Sequence, residues 1–154
     1  MAGVEIIPFE PRYRDDFKRL NIAWLERFFR VEPVDAEVLS NPERNILEPG
    51  GHILFARLGD EIVGACALIP EGPGRFELSK MAVDERHQGL GLGRKLLEAA
   101  IAKFKELDAT DLFLESSSKL KPAIRLYETS GFHHTPRPGA SHYERADVYM
   151  VYKG

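Results

Sequence analysis

The stretch MAVDERHQGLGLGRKLLEAA, residues 81–100, places three glycines between an apolar run and an amphipathic segment. This pattern predicts a strand, then a loop that contains Gly89, Gly91 and Gly93, and then a helix. The first backbone N–H groups of a helix lack intrahelical partners, and the helix dipole adds positive potential there. Glycines let an anion approach such amides closely. The stretch therefore predicts a binding loop for a phosphate or a diphosphate.

Three known types of phosphate-binding loop compete for this stretch. A Walker loop ends in a lysine and a hydroxyl residue, and it is excluded because Gly93 is followed by two basic residues. A dinucleotide fingerprint, G-x-G-x-x-G, is disfavoured because the loop reads G-L-G-L-G-R after a β-meander. The third pattern, Q/R-x-x-G-x-G/A, is satisfied by Gln88, Gly91 and Gly93. A purely structural alternative stays open, in which the glycines permit a sharp turn while Leu90 and Leu92 pack the core.

Hydrophobic periodicity divides the rest of the chain into strands and helices. Apolar runs predict strands at residues 5–9, 52–58, 61–69, 76–83, 112–116 and 143–153. Helical spacing of apolar residues predicts helices at residues 14–29, 35–42, 92–107 and 122–129. In the second helix, Asp35 is the expected N-cap and Pro42 the expected stop. The helix after the glycines joins two strands, which should therefore lie parallel.

The glycine loop is followed by a second motif, AIRLYETSGF, at residues 123–132. The loop resembles the acetyl-CoA loop of the GNAT N-acetyltransferase superfamily, and the second motif resembles that family's A-x-x-L-Y-x-x-x-G-F segment. The resemblance covers nearly the whole chain and implies a single domain over residues 1–154. It also implies an α/β (α+β) fold, with a mixed, mostly antiparallel twisted sheet of about six or seven strands, about four flanking helices and splayed parallel central strands.

Length, composition and charge limit the class of protein. With 154 residues and 44% hydrophobic content, the chain can bury one core of its own. A net charge of -3 provides no basic field for nucleic acid, and no apolar run has the length of a membrane span. We therefore expect no nucleic-acid partner, no membrane and a cytoplasmic location. Cys66, in the apolar run IVGACALI, is expected to be a buried hydrophobe rather than a catalytic thiol.

The resemblance implies that acetyl-CoA is the co-substrate. Pantetheine is expected to pair with the backbone of Met81, Ala82 and Val83, in the strand before the loop. Arg86 and Arg94 either add charge near the diphosphate or remain solvated side chains. The diphosphate is expected on the backbone amides of Gln88, Gly89, Leu90, Gly91, Leu92, Gly93 and Arg94.

One position departs from the family pattern. Many members carry an asparagine three residues before the alanine of the A-x-x-L-Y motif, where it contacts the cofactor. This chain has Leu120 there. Ser117 or Ser118 is the expected substitute, and we assign Ser117 to the cofactor site.

Two side chains are candidates for proton transfer. An amine must lose its proton before it attacks a thioester. Glu77 stands where some family members carry a glutamate base that acts through water, and burial would raise its pKa to suit that task. The alternative is a glutamate that is exposed or bonded to backbone. Tyr127 matches the family tyrosine that protonates the departing coenzyme A thiolate, and the alternative is a core tyrosine.

The acceptor pocket is weakly encoded in the sequence. The resemblance places it between the first helices and the final hairpin. Core packing is the alternative role for most of the aromatic residues there. The residues nominated for the pocket are Trp24, Phe28, Phe29, Tyr143 and Arg145.

No metal site is expected, because His133 and His134 are adjacent, His142 is isolated, and no histidine or cysteine spacing suits a metal. The chain is interpreted as an N-acetyltransferase that moves an acetyl group from acetyl-CoA to a primary amine of a small molecule or peptide. A non-catalytic acyl-CoA-binding sensor or regulatory module stays open as the alternative, while a nucleotide-binding regulatory protein is disfavoured. Paired subunits are common in the family, so a homodimer stays open, and the sequence does not give the oligomeric state.

Overall fold

The strands of the protein form one open sheet. The computed structural model describes residues 3–141 and 143–154. The strands are β1 (Val4–Pro8), β2 (His52–Leu58), β3 (Glu61–Pro70), β4 (Arg75–Val83), β5 (Asp111–Ser116), β6 (Phe132–His134) and β7 (Val148–Tyr152). Their order across the sheet is β1-β2-β3-β4-β5-β7-β6. Neighbours run antiparallel except β4 and β5, which are parallel, so the expected mixed, mostly antiparallel sheet is confirmed.

Helices cover both faces of the sheet. They are α1 (Arg14–Phe28), α2 (Pro33–Ser40), α3 (Leu92–Glu106) and α4 (Lys121–Thr129). Successive residues of a strand point to opposite faces. In β2, Ile53 and Phe55 accordingly pack with the residues of α1 and α2, whereas Leu54 and Ala56 pack with those of α3. The core therefore has two layers, one on each side of the sheet.

Periodicity located most elements to within one residue at each end. The last strand was predicted over residues 143–153, which is wrong in its first half because β7 begins at Val148. Residues before it form a turn, in which Tyr143 and Arg145 bond to side chains of other elements instead of a neighbouring strand. Strand β6 was not predicted, because an element of this length has too few residues to show a period.

The start of α2 also differs from the prediction. The helix begins at Pro33 with Glu32 as its N-cap, so the prediction that Asp35 is the N-cap is wrong. Asp35 is instead the third helical residue, and its carboxylate accepts a hydrogen bond of 3.0 Å from the Glu32 backbone N–H. The two side chains form a capping box that satisfies backbone donors at the start of the helix. The helix ends at Ser40, before Pro42, as expected.

Strands β4 and β5 separate after a short parallel seam. Within the described chain they pair over Arg75–Glu77 and Asp111–Phe113. Beyond the seam, β4 remains bonded to β3, and β5 remains bonded to β7. The expected splay of the two central strands is thus present, and it leaves one edge of β4 from Leu78 onward without a strand partner.

A bulge distorts β4 within this separated part. Ala82 pairs with Ala65 and Ser79 pairs with Ala67, so two residues of β4 oppose the single residue Cys66 of β3. One of the two, Lys80, has a φ of 54°, a left-handed conformation that is strained for a residue with a side chain. Such strain persists only where surrounding contacts hold it.

The central strands are enclosed on both faces. Cys66 lies in β3 and is fully buried in the layer under α3, as expected for a small hydrophobe. Burial raises the pKa of its thiol to about 12. No helix within residues 3–141 and 143–154 is long and apolar enough to cross a bilayer.

Candidate functional site

A cleft opens where β4 and β5 separate. Its floor is formed by residues of the two strands, including Glu77, Met81 and Leu114. Helices α1 and α2 and the turn before β7 border one side, and Tyr127 of α4 borders the other. The strand at one edge of the cleft, β4, runs on through a short turn into the glycine loop. One edge of the cleft and the glycine loop therefore belong to one continuous stretch of the chain.

Glu77 sits at the end of the parallel seam and is only 4% exposed. It is therefore not the exposed glutamate of the alternative interpretation. No residue of the described chain forms a hydrogen bond with its carboxyl group. Burial raises its pKa to about 8, and the negative charge of Glu115 adds to that effect, while Lys80 opposes it. A carboxyl with this pKa can both take up and release a proton near neutral pH.

Glu115 is a second carboxylate at the same place, and sequence reasoning missed it. Arg137 lies 3.2 Å from one of its oxygens, and the Ser141 hydroxyl donates to the other at 3.0 Å. Glu77 and Glu115 both line the cleft and also a second cavity on the side of Arg137. The available signal was a carboxylate in the apolar run LFLES, in a strand expected to run parallel beside the strand of Glu77.

Tyr127 borders the cleft from α4. Its ring is partly buried and packs edge-on against Phe132, with ring centres 6.0 Å apart. Burial raises the pKa of its hydroxyl to about 12, so the group stays protonated at neutral pH. Both earlier interpretations apply in part, since the ring packs on the core while the residue lines the cleft.

The glycine loop has the backbone conformation that its sequence predicts. Gly89 and Gly91 have φ values of 85° and 72°, in the left-handed region that favours glycine. Gly91 is the N-cap of α3, and no side chain caps that end of the helix. Leu92 is buried in the core as the structural alternative proposed, but Leu90 is 51% exposed and contradicts it. The first amides of α3 therefore remain without intrahelical partners beside an open loop.

The two arginines near the loop differ in their partners. Arg86 forms salt bridges with Asp84, at 2.8 Å, and with Glu61, so two carboxylates already share its charge. The hydrogen bonds to Asp84 are the main reason that the pKa of Arg86 is raised. Arg94 is exposed, and among the described residues its guanidinium reaches only the Thr129 hydroxyl, at 3.5 Å. Arg94 is thus the better placed of the two to add charge at the start of α3.

The two serines considered in place of the family asparagine also differ. The Ser118 hydroxyl donates to Asp147 at 2.6 Å, and its backbone N–H donates to the same carboxylate at 2.7 Å. Ser117 is buried, lines the cleft and accepts a hydrogen bond of 3.2 Å from the Lys119 backbone N–H. Its hydroxyl proton remains available to a ligand, whereas the Ser118 hydroxyl is engaged.

Within the described chain, one edge of β4 has no strand partner along the separated part of the strand. Met81 lines the cleft, while Ala82 and Val83 pair with β3 through one edge only. Their other edge faces away from β3, past the end of the seam with β5. This edge offers the extended row of backbone groups on which the predicted pairing with pantetheine depends.

Most residues nominated for the acceptor pocket border the cleft. Trp24, Phe29, Tyr143 and Arg145 line it. Phe28 is not among the described lining residues and packs on Trp24, with ring centres 5.3 Å apart. The nominated side chains therefore come together on the side of α1 and α2, opposite Tyr127.

On the side of α1 and α2, a network of charged side chains forms one wall of the cleft, called the charged wall here. Its members are Asp35, Glu32, Lys80 and Arg145. Asp35 is fully buried and accepts two hydrogen bonds of 2.9 Å from the Arg145 guanidinium and one of 3.0 Å from the Lys80 ammonium. Glu32 accepts another bond from Arg145 at 2.9 Å. Burial alone would raise the pKa of Asp35, but its bonds to Arg145 and the charge of Lys80 lower it to about 2. Asp35 therefore holds α2, the β4 bulge and the turn before β7 together.

One group of potential metal ligands lies near the glycine loop. Glu61, Asp84 and His87 place ligand atoms within 4.8 Å of one another, and Arg86 forms salt bridges with both of these carboxylates. His134 contacts Glu128 at 2.8 Å on the surface. His142 lies outside the described residues. The expectation that the protein uses no metal stays a prediction.

Sequence comparisons identify relatives of the chain. A family model described as the acetyltransferase (GNAT) family matches residues 14–132. An uncharacterized N-acetyltransferase of Schizosaccharomyces pombe is 35% identical over 141 residues, covering 83% of this chain and 85% of the relative. The match extends over most of both proteins.

Solved structures with the same fold are also known. An acetyltransferase of the GNAT family from Staphylococcus aureus Mu50 has a TM-score of 0.87 at 24% identity, covering 97% of this chain and 98% of the other. A Bacillus subtilis acetyltransferase in complex with CoA has a TM-score of 0.74 at 22% identity, with coverage of 97% and 98%. These likenesses show that the order and arrangement of the elements are shared.

Proposed function

Because the chain belongs to the acetyltransferase (GNAT) family, we propose that it transfers the acetyl group of acetyl-CoA directly to a primary amine of a small molecule or peptide. The observation that carries the proposal is the cleft between β4 and β5, which is lined by Glu77 and Tyr127 and whose strand β4 runs on into the glycine loop. One site thus combines an anion-binding helix terminus with two groups that exchange protons. A homodimer and a cytoplasmic location remain predictions.

The residues around the cleft fit acetyl-CoA, which supplies the acetyl group as an activated thioester. The free edge of β4 at Met81, Ala82 and Val83 would hold the amide-containing pantetheine arm. The loop amides from Gln88 to Arg94 would hold the diphosphate, because they lie at the open N-terminus of α3. Ser117 would contribute a hydroxyl group inside the cleft. The CoA complex of the Bacillus subtilis neighbour supports this assignment.

Glu77 is proposed as the base that removes the proton of the acceptor amine, directly or through one water molecule. Burial and the neighbouring Glu115 raise its pKa, which increases its basicity. The second cavity shared by Glu77 and Glu115 gives the abstracted proton a route to solvent. Tyr127, across the cleft, is proposed to donate a proton as the thiolate of coenzyme A departs.

The proposed role of Glu77 predicts how kcat/KM depends on pH. Only the ionised Glu77 accepts a proton, so kcat/KM should fall about tenfold per pH unit below an apparent pKa of about 8 and level off above it. Replacing Glu115 by glutamine removes a negative neighbour, which should lower the pKa of Glu77 and move the acid limb to lower pH. The measurement is the pH dependence of kcat/KM, with an acceptor whose amine has a pKa below 7.

Glu77→Gln is the matched variant for this profile. It keeps the size of the side chain and should lower kcat by about a hundredfold or more, since it removes a general base. A wild-type acid limb that persists unchanged in Glu77→Gln would assign the base to another group. If the acid limb lies at the same pH in Glu115→Gln as in the wild type, the charge of Glu115 does not raise the pKa of Glu77.

The transfer reaction itself is tested by the release of free thiol. The protein is incubated with acetyl-CoA and a broad panel of amines and short peptides, and acetylated products are identified by mass spectrometry. We expect thiol release that depends on one class of amine. Binding of acetyl-CoA without thiol release over the whole panel would favour the non-catalytic sensor, and tighter binding of ATP or NAD than of acetyl-CoA would favour a nucleotide-binding protein.

A further inference from the structure

Two cations border the acceptor side of the cleft, one of them buried and the other half-buried. Lys80 is only 8% exposed and occupies the strained bulge of β4, while Arg145 lies in the turn before β7. Asp35 bonds to both of them, at distances of 2.9 to 3.0 Å. These bonds fix the two cations before any acceptor arrives, which reduces the entropy that binding would otherwise cost.

The donors and the acceptors of the charged wall differ in how many further hydrogen bonds they can form. Both oxygens of Asp35 are engaged, and both oxygens of Glu32 accept bonds, one from Arg145 and one from the Glu144 backbone. An ammonium donates three N–H bonds and a guanidinium five. Lys80 uses two of its donors, to Asp35 and to the Tyr143 hydroxyl, and Arg145 uses three in the described chain. Within the described chain, the charged wall therefore retains N–H donors, whereas every carboxylate oxygen of Asp35 and Glu32 already accepts at least one hydrogen bond.

The charges nearby reinforce this imbalance. Glu115 is paired with Arg137, and burial keeps Glu77 largely uncharged at neutral pH. At the edge of the cleft, the Lys119 ammonium lies 4.7 Å from the centre of the Phe29 ring and bonds to a backbone carbonyl. No carboxylate within residues 3–141 and 143–154 forms a salt bridge with Lys119. A second cationic group on the acceptor would meet Lys119 here, and the carboxylates of the charged wall are already paired with its two cations.

From this wall we infer that the acceptor is an amine that also carries a carboxylate, such as a free α-amino acid, and that Lys80 and Arg145 select it through that carboxylate. The inference rests on the proposed acetyltransferase function and names its acceptor class. The acceptor amine is directed to Glu77, and its carboxylate receives the remaining N–H groups of the two cations. Trp24 and Phe29 provide apolar surface for the side chain of the acceptor. A polyamine is selected against, because it would bring ammonium groups to Lys80 and Arg145.

The test compares each standard α-amino acid other than cysteine and proline with its own amide, and both with spermidine, by thiol release at saturating acetyl-CoA. For the best acceptor, kcat/KM of the acid should exceed that of the amide by about tenfold or more, because charge-assisted hydrogen bonds are lost with the charge. The amide has the less basic amine, so a preference for the acid cannot result from easier deprotonation. This comparison uses the wild-type protein and does not depend on the folding of a variant.

Variants then assign the preference to the two cations. Lys80→Met and Arg145→Lys should each raise the KM of the acid and bring the acid-to-amide ratio toward one, with the KM of acetyl-CoA unchanged. Lys18→Met, an exposed lysine of α1, is the matched loss of charge and should leave the ratio as in the wild type. Circular dichroism checks that each variant is folded.

Other outcomes overturn the inference in distinguishable ways. Amides or spermidine that are acetylated as well as the acids would overturn the carboxylate-bearing acceptor while leaving the transferase function intact. A ratio that stays high in folded Lys80→Met and Arg145→Lys would remove the two cations as selectors. If no amino acid is acetylated, this acceptor class is wrong, and the broad amine and peptide panel decides separately whether the protein is a transferase.

Discussion

Gly91→Glu is expected to weaken acetyl-CoA binding by at least about a hundredfold, the loss of roughly two charge-assisted hydrogen bonds. Gly91 is the N-cap of α3, where the diphosphate is proposed to meet unpartnered amides. A carboxylate at this position would compete for the same amides and repel the phosphate charges. Isothermal calorimetry with acetyl-CoA measures the effect.

The chain offers a matched control for this substitution. Gly50, in the turn before β2, has a φ of 106° against 72° at Gly91, and an added Cβ meets no atom within 4 Å at either position. Gly50→Glu therefore introduces the same charge at a second left-handed glycine, at the end of β2 opposite to the hairpin that carries Glu61, and it should bind acetyl-CoA normally. Gly91→Ala adds a Cβ without a charge or a hydrogen-bonding group, so it separates the effect of backbone strain from the effect of the carboxylate. Unchanged affinity in folded Gly91→Glu would place the diphosphate elsewhere and remove the basis of the proposed function.

Tyr127→Phe is expected to lower kcat by about a hundredfold with little change in acetyl-CoA affinity. The substitution removes the proposed proton donor but keeps the ring that packs on Phe132. Because burial holds the pKa of the hydroxyl at about 12, the donor is protonated throughout the usual assay range. The ratio of wild-type kcat to Tyr127→Phe kcat should therefore stay the same from about pH 7 to about pH 9, because the tyrosine hydroxyl does not lose its proton in that range.

Tyr152→Phe is the control for Tyr127→Phe. Tyr152 also packs on Phe132, with ring centres 5.5 Å apart, and it is not among the described residues that line the cleft. Its loss should leave kcat near the wild-type value. A normal kcat in Tyr127→Phe, measured by rapid thiol detection, would assign the departing thiolate to another donor or to water.

Local signals in the sequence were sufficient for most of the fold. The alternation in HILFARL, the helical spacing after Gly93 and the turn at Gly59 each depend on residues close together in the chain. These elements appear as predicted. The glycine loop was also readable, since the positive φ of Gly89 and Gly91 is a property of the residues themselves.

Arg145 and Tyr143 were nominated for the pocket, but the ion pairs of the charged wall were not readable, because they join distant parts of the chain. Asp35 bonds to Lys80 and to Arg145 across separations of 45 and 110 residues. A local rule assigned Asp35 to a helix cap, and another assigned Arg145 to a strand. Both assignments changed once the buried ion pairs were formed, since an unpaired buried charge is costly. The pairing of Glu115 beside Glu77 likewise depends on which strands become neighbours.

The burial of the single cysteine has a practical consequence for assays. Reagents that detect coenzyme A by its sulfhydryl group react with the thiolate form, and Cys66 is both enclosed by the sheet and held as a thiol by its raised pKa. The native protein therefore contributes little background colour to such a measurement. The same reagent, added without substrate, labels one cysteine per chain only when a molecule unfolds, so the amount of label measures the fraction of protein that has denatured.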